Sequence, residues 1–135
     1  MKDGNLRALE REYLKGFHLV TIETGFTGPG VPDMNYCYHG SEGWIENKAC
    51  KGWQVKIRVE QVGWMLRRQR AGGKCFIFVR RQNASSNADE LYVFNGEQAQ
   101  DLSEKGINGA KWRHRSTGGP ARWDWETVSK ILRGG

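Results

Sequence analysis

Cysteine is scarce in this chain, with three residues in 135, an odd number, at Cys37, Cys50 and Cys75 in apolar or strand-like surroundings. An odd count argues against a disulfide framework and suits a reducing compartment. The cysteines do not make a zinc site with His39 either, because structural zinc takes four closely grouped ligands and the Cys-Tyr-His stretch has no second tight pair. No apolar run approaches the roughly 20 residues that a membrane-spanning helix needs. The opening MKDGNLRALERE likewise lacks the apolar segment of a secretory leader. The expectation is a soluble, cytoplasmic protein with no membrane partner. Phosphate-binding P-loop and dinucleotide fingerprints are missing, and His18, His39 and His114 form no motif with a serine or cysteine. Nucleotide-cofactor enzymes and triad hydrolases fall away.

Charge, by contrast, is plentiful and uneven. The formal net charge is +6, but residues 1–47, 48–81, 82–104 and 105–135 carry −3, +9, −5 and +5. Clustered Lys and Arg gain affinity for a polyanion by releasing counterions from its phosphate backbone, so the segregation points to a nucleic acid. A solvated basic face with no partner is the competing explanation.

The length, with 38% hydrophobic residues, fits one compact domain over residues 1–135. Leu6, Leu9, Tyr13 and Phe17 recur at helical spacing, and residues 17–24 alternate like a strand. Residues 25–33 are a Gly- and Pro-rich loop. Residues 34–39 and 44–50 read as an antiparallel hairpin joined through Gly40-Ser-Glu-Gly43. Residues 57–73 read as a helix with Val59, Val62 and Leu66 on its apolar face, and 74–81 as a buried central strand. A polar loop over 83–90, a strand over 91–94, a short helix over 95–106 and a terminal helix capped by Asp124 complete the pattern. The expected fold class is α/β with a central mixed sheet: helix, three strands, helix, strand in a core over about residues 5–81, then a C-terminal extension over about 82–135.

On a strand, side chains two apart share a face, so Glu46 and Lys48 project together while Asn47 points away. Asp33 opens the preceding strand, and the hairpin can bring it across from Glu46. Two carboxylates suit Mg²⁺ or Mn²⁺, which take hard oxygen ligands. Lys48, beside a scissile phosphate, could orient or help deprotonate the attacking water or stabilise charge on the phosphate oxygens. A cross-strand salt bridge on an exposed hairpin would explain the same residues without chemistry. Glu10 falls on or beside the inward stripe of the first helix, with Glu12 on the opposite side, and an inward charge is costly unless paired or metal-bound. Either it completes a metal cluster or it pairs with a buried base. On the second helix Arg58, Gln61, Met65 and Arg68 share a face; Gln61 could bond a phosphate or a metal-bound water, with the arginines holding flanking phosphates, or the face could simply be solvated. Trp112, Arg113, Arg115, Arg122 and Trp123 could track a backbone or stack on unpaired bases, or the tryptophans Trp123 and Trp125 could pack the terminal helix or a dimer seam.

Pro32-Asp33, twelve intervening residues and Glu46-Asn47-Lys48, behind a Glu-bearing helix and ahead of a Gln-bearing one, resemble the PD-(D/E)XK nuclease superfamily. "ALEREYLKGF" is similar to the opening helix of archaeal-type Holliday junction resolvases, while "GVPD", "WIENK" and "VEQVGWMLRRQRAGGKCFIFV" resemble the virus-type replication-repair nuclease domain. The resemblance covers about residues 5–81. It implies a restriction-endonuclease-like core and Mg²⁺-dependent cleavage of DNA, with Mn²⁺ able to substitute. Four-way junctions are the implied substrate and a homodimer the implied assembly. Small stand-alone members are frequent in phages, which would make the location a host cell's cytoplasm. The catalytic set it implies is Glu10, Asp33, Glu46, Lys48 and Gln61. Metal ligands would be Glu10, Asp33, Glu46 and Asn47, the last through its backbone carbonyl; the superfamily usually has an apolar residue there. Lys51, Arg58, Arg68, Lys111, Arg113 and Arg115 are the expected DNA contacts. Other nucleic-acid substrates (linear, nicked or flapped DNA, or RNA) and a non-catalytic binding module on the same fold are the alternatives.

Overall fold

The computed structural model describes residues 3–22 and 30–134. The end of the first expected strand and most of the Gly- and Pro-rich loop lie outside the described residues.

The elements run α1 (Leu6–Tyr13), β1 (His18–Thr21), β2 (Met34–Tyr38), β3 (Ser41–Cys50), α2 (Val59–Arg70), β4 (Cys75–Asn83), β5 (Ala88–Asn95), α3 (Ala99–Lys105), β6 (Trp112–Ser116) and α4 (Trp125–Leu132), with short 3₁₀ turns between some of them. The six strands form one sheet in chain order, antiparallel throughout except for the parallel pair β3–β4, which α2 connects. A parallel pair requires such a crossover, whereas the other neighbours need only turns or short connections. The expected mixed α/β sheet is therefore present, and the C-terminal segment adds β5 and β6 to it.

Each sheet face carries its own apolar core. Leu6 and Leu9 of α1 and Val128, Ile131 and Leu132 of α4 pack on Tyr36, Ile45, Phe78 and Val93. On the other face Met65 of α2 and Ala99 and Leu102 of α3 pack on Ile77, Val79 and Phe94. The alternation of β3 follows: Ile45 and Asn47 face α1, and Trp44, Glu46 and Lys48 face α2. Tyr36 is fully buried and donates from its hydroxyl to the Leu132 carbonyl at 2.6 Å, which ties α4 to the sheet. Its ring occupies the space opposite Gly43, where an added Cβ would come within 2.4 Å of the hydroxyl.

Several expectations are corrected. The β2–β3 turn is His39-Gly40, both at positive φ (46° and 88°), so Ser41 to Gly43 already belong to β3. Most of the expected polar loop over 83–90 is hairpin, because β4 runs to Asn83 and β5 starts at Ala88. On α2 the apolar stripe does not decide the rotation: Val59 is 78% exposed, and Gln61 and Met65 are buried. Polar bonds to β3 set that rotation, as described below. Residues 112–116 form an edge strand that the reading missed, because Trp-Arg-His-Arg-Ser has no apolar alternation. Trp123 and Trp125 are buried against the α1 and α4 core, so they pack and do not stack on a ligand. As expected, the side chain of Asp124 caps α4, accepting from the Thr127 N–H at 3.0 Å. All three cysteines are free.

Candidate active site

A cleft of about 600 Å³ opens beside the middle of the sheet, lined by Asp3, Arg7, Asp33, Glu46, Asn47, Lys48, Lys56, Arg58 and Gln61. Five segments supply these groups: the start of α1 with the residues just before it, the turn into β2, β3, the linker into α2, and the first turn of α2. Gly30 sets the turn against α2. Its φ is +88°, and an added Cβ would sit 2.1 Å from the Glu60 carbonyl oxygen, so only glycine lets residues 30–33 lie against the first turn of that helix.

On the α2 side of β3, Gln61 is the organiser. Its Nε2 donates to Glu46 Oε2 at 2.9 Å, and its Oε1 accepts from Lys48 Nζ at 3.0 Å and from the Arg58 backbone N–H at 3.0 Å. Lys48 Nζ also stands 3.5 Å from Glu46 Oε2. One amide thus holds acid and amine in a fixed relation, and the same oxygen caps the first turn of α2. That explains why Gln61, and not Val59, faces inward.

On the other side of β3, Asn47 faces α1. Its Nδ2 donates to Glu10 Oε1 at 3.1 Å and to Asp33 Oδ1 at 3.3 Å, and its backbone N–H reaches the same Asp33 oxygen at 3.3 Å. Glu10 is completely buried, is not among the residues that line the cleft, and among the described residues has no basic side chain bonded to it. Among the described residues, Glu10 Oε2 and Asn47 Oδ1 are buried acceptors with no hydrogen-bond partner. Orphaned acceptors of this kind are rare in folded proteins, and each calls for a donor such as a water or a bound proton, or for an ion.

The acids are electrostatically uncomfortable. Burial, and then the negative charge of Glu46, push Asp33 up to about 7. Burial also raises Glu46, against the pull of Lys48, and lifts Glu10 well above the carboxylate range, with Asp33 adding to it. Because the folded-state value of Asp33 exceeds its ordinary 3.8, the acid's contribution to stability is complete below that value and is lost as pH rises through about 7. The metal-free protein should therefore lose several degrees of melting temperature between about pH 5 and pH 8. Asp33→Asn should flatten that slope; an unchanged slope in the variant would show that Asp33 is not the strained group.

The fold has a solved counterpart. No family model and no curated protein matches the chain. By structure it is similar to Hjc from Archaeoglobus fulgidus, a Holliday junction resolvase of an archaeal hyperthermophile, with a TM-score of 0.52 over 94% of this chain and 96% of that one, at 15% identity. The fold is restriction-endonuclease-like. At that identity the likeness is one of architecture, and the roles of individual side chains rest on the geometry above.

The other expected residues are dispersed. Arg58 lines the cleft, and Lys51 borders a neighbouring cavity with Asn5, Arg80 and Gln82. Arg68 lies over the Trp44 and Trp64 rings, 5.5 and 4.7 Å from their centroids, and is not among the cleft residues. Lys111, Arg113 and Arg115 are on or beside β6, at the sheet edge, where Arg115 pairs with Glu90 at 2.8 Å and Arg113 donates to Asn95 at 3.1 Å. Asp3, Arg7 and Lys56 were missed as cleft residues. Lys56 belongs to the +9 segment, which was the one signal available; the Asp3–Arg7 pair, at 3.0 Å, looks in the sequence like any helix-start ion pair.

Among the described residues, no group of three His, Cys, Asp or Glu is gathered closely enough to hold a metal by itself. Of the three carboxylates that line the cleft, Asp3 is taken up by Arg7 at 3.0 Å, which leaves Asp33 and Glu46. Mg²⁺ is commonly bound by one or two carboxylates, with waters and substrate phosphate completing its shell. The two cleft carboxylates fit such an ion.

Proposed function

We propose that the chain is a divalent-metal-dependent DNA endonuclease whose substrate is a branched duplex, a four-way junction first of all, cut by paired incisions from a homodimer. The observation that carries this reading is the convergence of Asp33, Glu46 and Lys48 in one cleft, with Gln61 bridging the last two. A structural salt bridge has no use for a second acid that burial and Glu46 push up to about 7, whereas a cation site does. Mg²⁺, with Mn²⁺ as substitute, would supply Lewis-acid stabilisation of charge on the phosphate. Asp33 and Glu46 would hold it. Lys48 would orient the attacking water or meet charge on the phosphate oxygens, Gln61 would keep the ammonium in register, and Arg7, Lys56 and Arg58 would hold flanking phosphates. Glu10 would act from behind Asn47, steadying the amide that bonds Asp33. The homodimer follows from the approximate twofold symmetry of a four-way junction, which two related sites on an isologous dimer can match.

The test is purified protein on four-way, flapped, nicked and linear DNA, and on RNA, with Mg²⁺ or with EDTA, beside light scattering of the free and bound forms. Mg²⁺-dependent paired cuts in the four-way DNA and a dimeric mass are expected. Preference for flapped, nicked or linear DNA, or for RNA, would keep the nuclease and replace the substrate. Binding without turnover in any metal would overturn the enzyme.

A further inference from the structure

The linker between β3 and α2 carries an exposed aromatic that the catalytic reading leaves unused. Trp53 is 41% exposed, although the guanidinium of Arg81 lies against its ring, 3.8 Å from the centroid. Arg81 is itself immobilised: its Nη1 bonds Glu90 Oε1 at 2.9 Å, and the same carboxylate is held by the Tyr92 hydroxyl at 3.0 Å and by Arg115 at 2.8 Å. Among the described residues the buried Nε of Arg81 has no hydrogen-bond partner, and its guanidinium is free to lie flat on an aromatic face. The Trp53 backbone is anchored too, its carbonyl accepting from the Ile107 N–H at 2.8 Å. A held cation thus backs one side of the indole, and the exposed area is left for a ligand.

Its position gives the ligand's chemistry. Lys48 pairs with Val79 and Cys50 with Arg81, so Arg81 sits on the same sheet face as Lys48, two residues further along. At about 3.3 Å per residue that is about 7 Å, on the order of one nucleotide step. Lys51, Lys56 and Arg58, exposed on the same linker, flank the aromatic with positive charge. Basic groups with a presented aromatic face are how proteins hold unpaired bases. Resting on the nuclease reading of the cleft, we propose that Trp53, backed by Arg81, stacks on a base released from pairing at a branch or gap, next to the phosphate that the cleft receives, and so selects DNA whose pairing is interrupted there. The ligand class is a nucleobase without its pairing partner.

The experiment compares DNA affinities in EDTA, where no cutting occurs, for a duplex with unpaired bases at a flap or gap and for an uninterrupted duplex. Trp53→Ala should weaken binding to the first by roughly 5- to 100-fold and leave the second within about twofold, and Trp53→Phe should keep most of the affinity. If Trp53→Ala lowers the melting temperature, Trp53→Leu, which keeps an apolar cover over Arg81 but cannot stack, carries the same comparison. Equal losses on both DNAs, or no loss on either, would overturn the proposal. Because these affinities are read without turnover, a protein that cuts nothing in Mg²⁺ would sink the nuclease reading and still leave the stacking proposal decided.

Discussion

Asp33→Asn and Glu46→Gln should each lower Mg²⁺-dependent cleavage by several orders of magnitude while leaving DNA binding intact. Each substitution keeps the shape of its side chain and removes the negative charge that would hold the cation. For Glu46→Gln an amide oxygen can still accept from Gln61 Nε2, so the bridge at 2.9 Å need not break. For Asp33→Asn the amide oxygen can still accept from the Asn47 N–H groups now 3.3 Å away. Neither variant should unfold, and without metal Asp33→Asn should be the more stable protein near neutral pH, because it removes a charge that burial and Glu46 already disfavour. DNA binding in EDTA should hold or tighten, since a carboxylate near phosphate repels it until a cation intervenes. Single-turnover cleavage, fluorescence anisotropy in EDTA and thermal melts with and without Mg²⁺ read the three quantities separately. The wild type should gain melting temperature from Mg²⁺ through linkage and both variants should lose that gain. Normal cleavage by Glu46→Gln, or general unfolding of both variants, would return the hairpin to an ordinary salt-bridged one.

Those side chains were legible in the sequence because strand geometry is local. The alternation of Glu46, Asn47 and Lys48 fixes which of them share a face, and the short hairpin fixes where Asp33 lies, whatever the rest of the chain does. The inward position of Glu10 was legible for the same reason, through helical spacing, but its partner was not. The sequence left a choice between a metal cluster and a buried base, whereas the hydrogen bond goes to the amide of Asn47, a residue first considered for its backbone alone. Rotation of α2 was misread because Val59, Val62 and Leu66 outnumber Gln61 in any apolar count, while three hydrogen bonds through one buried amide determine the setting. Strand β6 was missed because an edge strand buries little and its residues answer to charge pairing: Arg115 lies opposite Tyr92 and reaches Glu90, a contact 25 residues away in the chain. Trp53 drew no notice for a similar reason, since the cation beneath it comes from β4.

Lys48→Ala should cost cleavage roughly 10²–10³-fold or more, in line with the loss of a group that acts on developing charge, and should leave the stability gain from Mg²⁺ largely in place. Ammonium is not a metal ligand, so loss of Lys48 separates the chemical step from metal binding, which the acid substitutions cannot do. Glu46 would then lose the neighbour 3.5 Å away that offsets its burial, and its acidity should weaken further. Metal affinity should accordingly fall a little at low pH and recover as pH rises. Gln61→Ala tests whether the bridge matters through Lys48. It removes the acceptor at 3.0 Å and the donor at 2.9 Å, so cleavage should drop by a smaller factor than for Lys48→Ala. The double variant should be no worse than Lys48→Ala alone, because residues that act as a unit are not additive. Cleavage rates of the four proteins at saturating Mg²⁺ decide it: multiplicative losses would mean that Gln61 acts on its own, for example by touching phosphate, and that its contact with Lys48 is incidental to the chemistry.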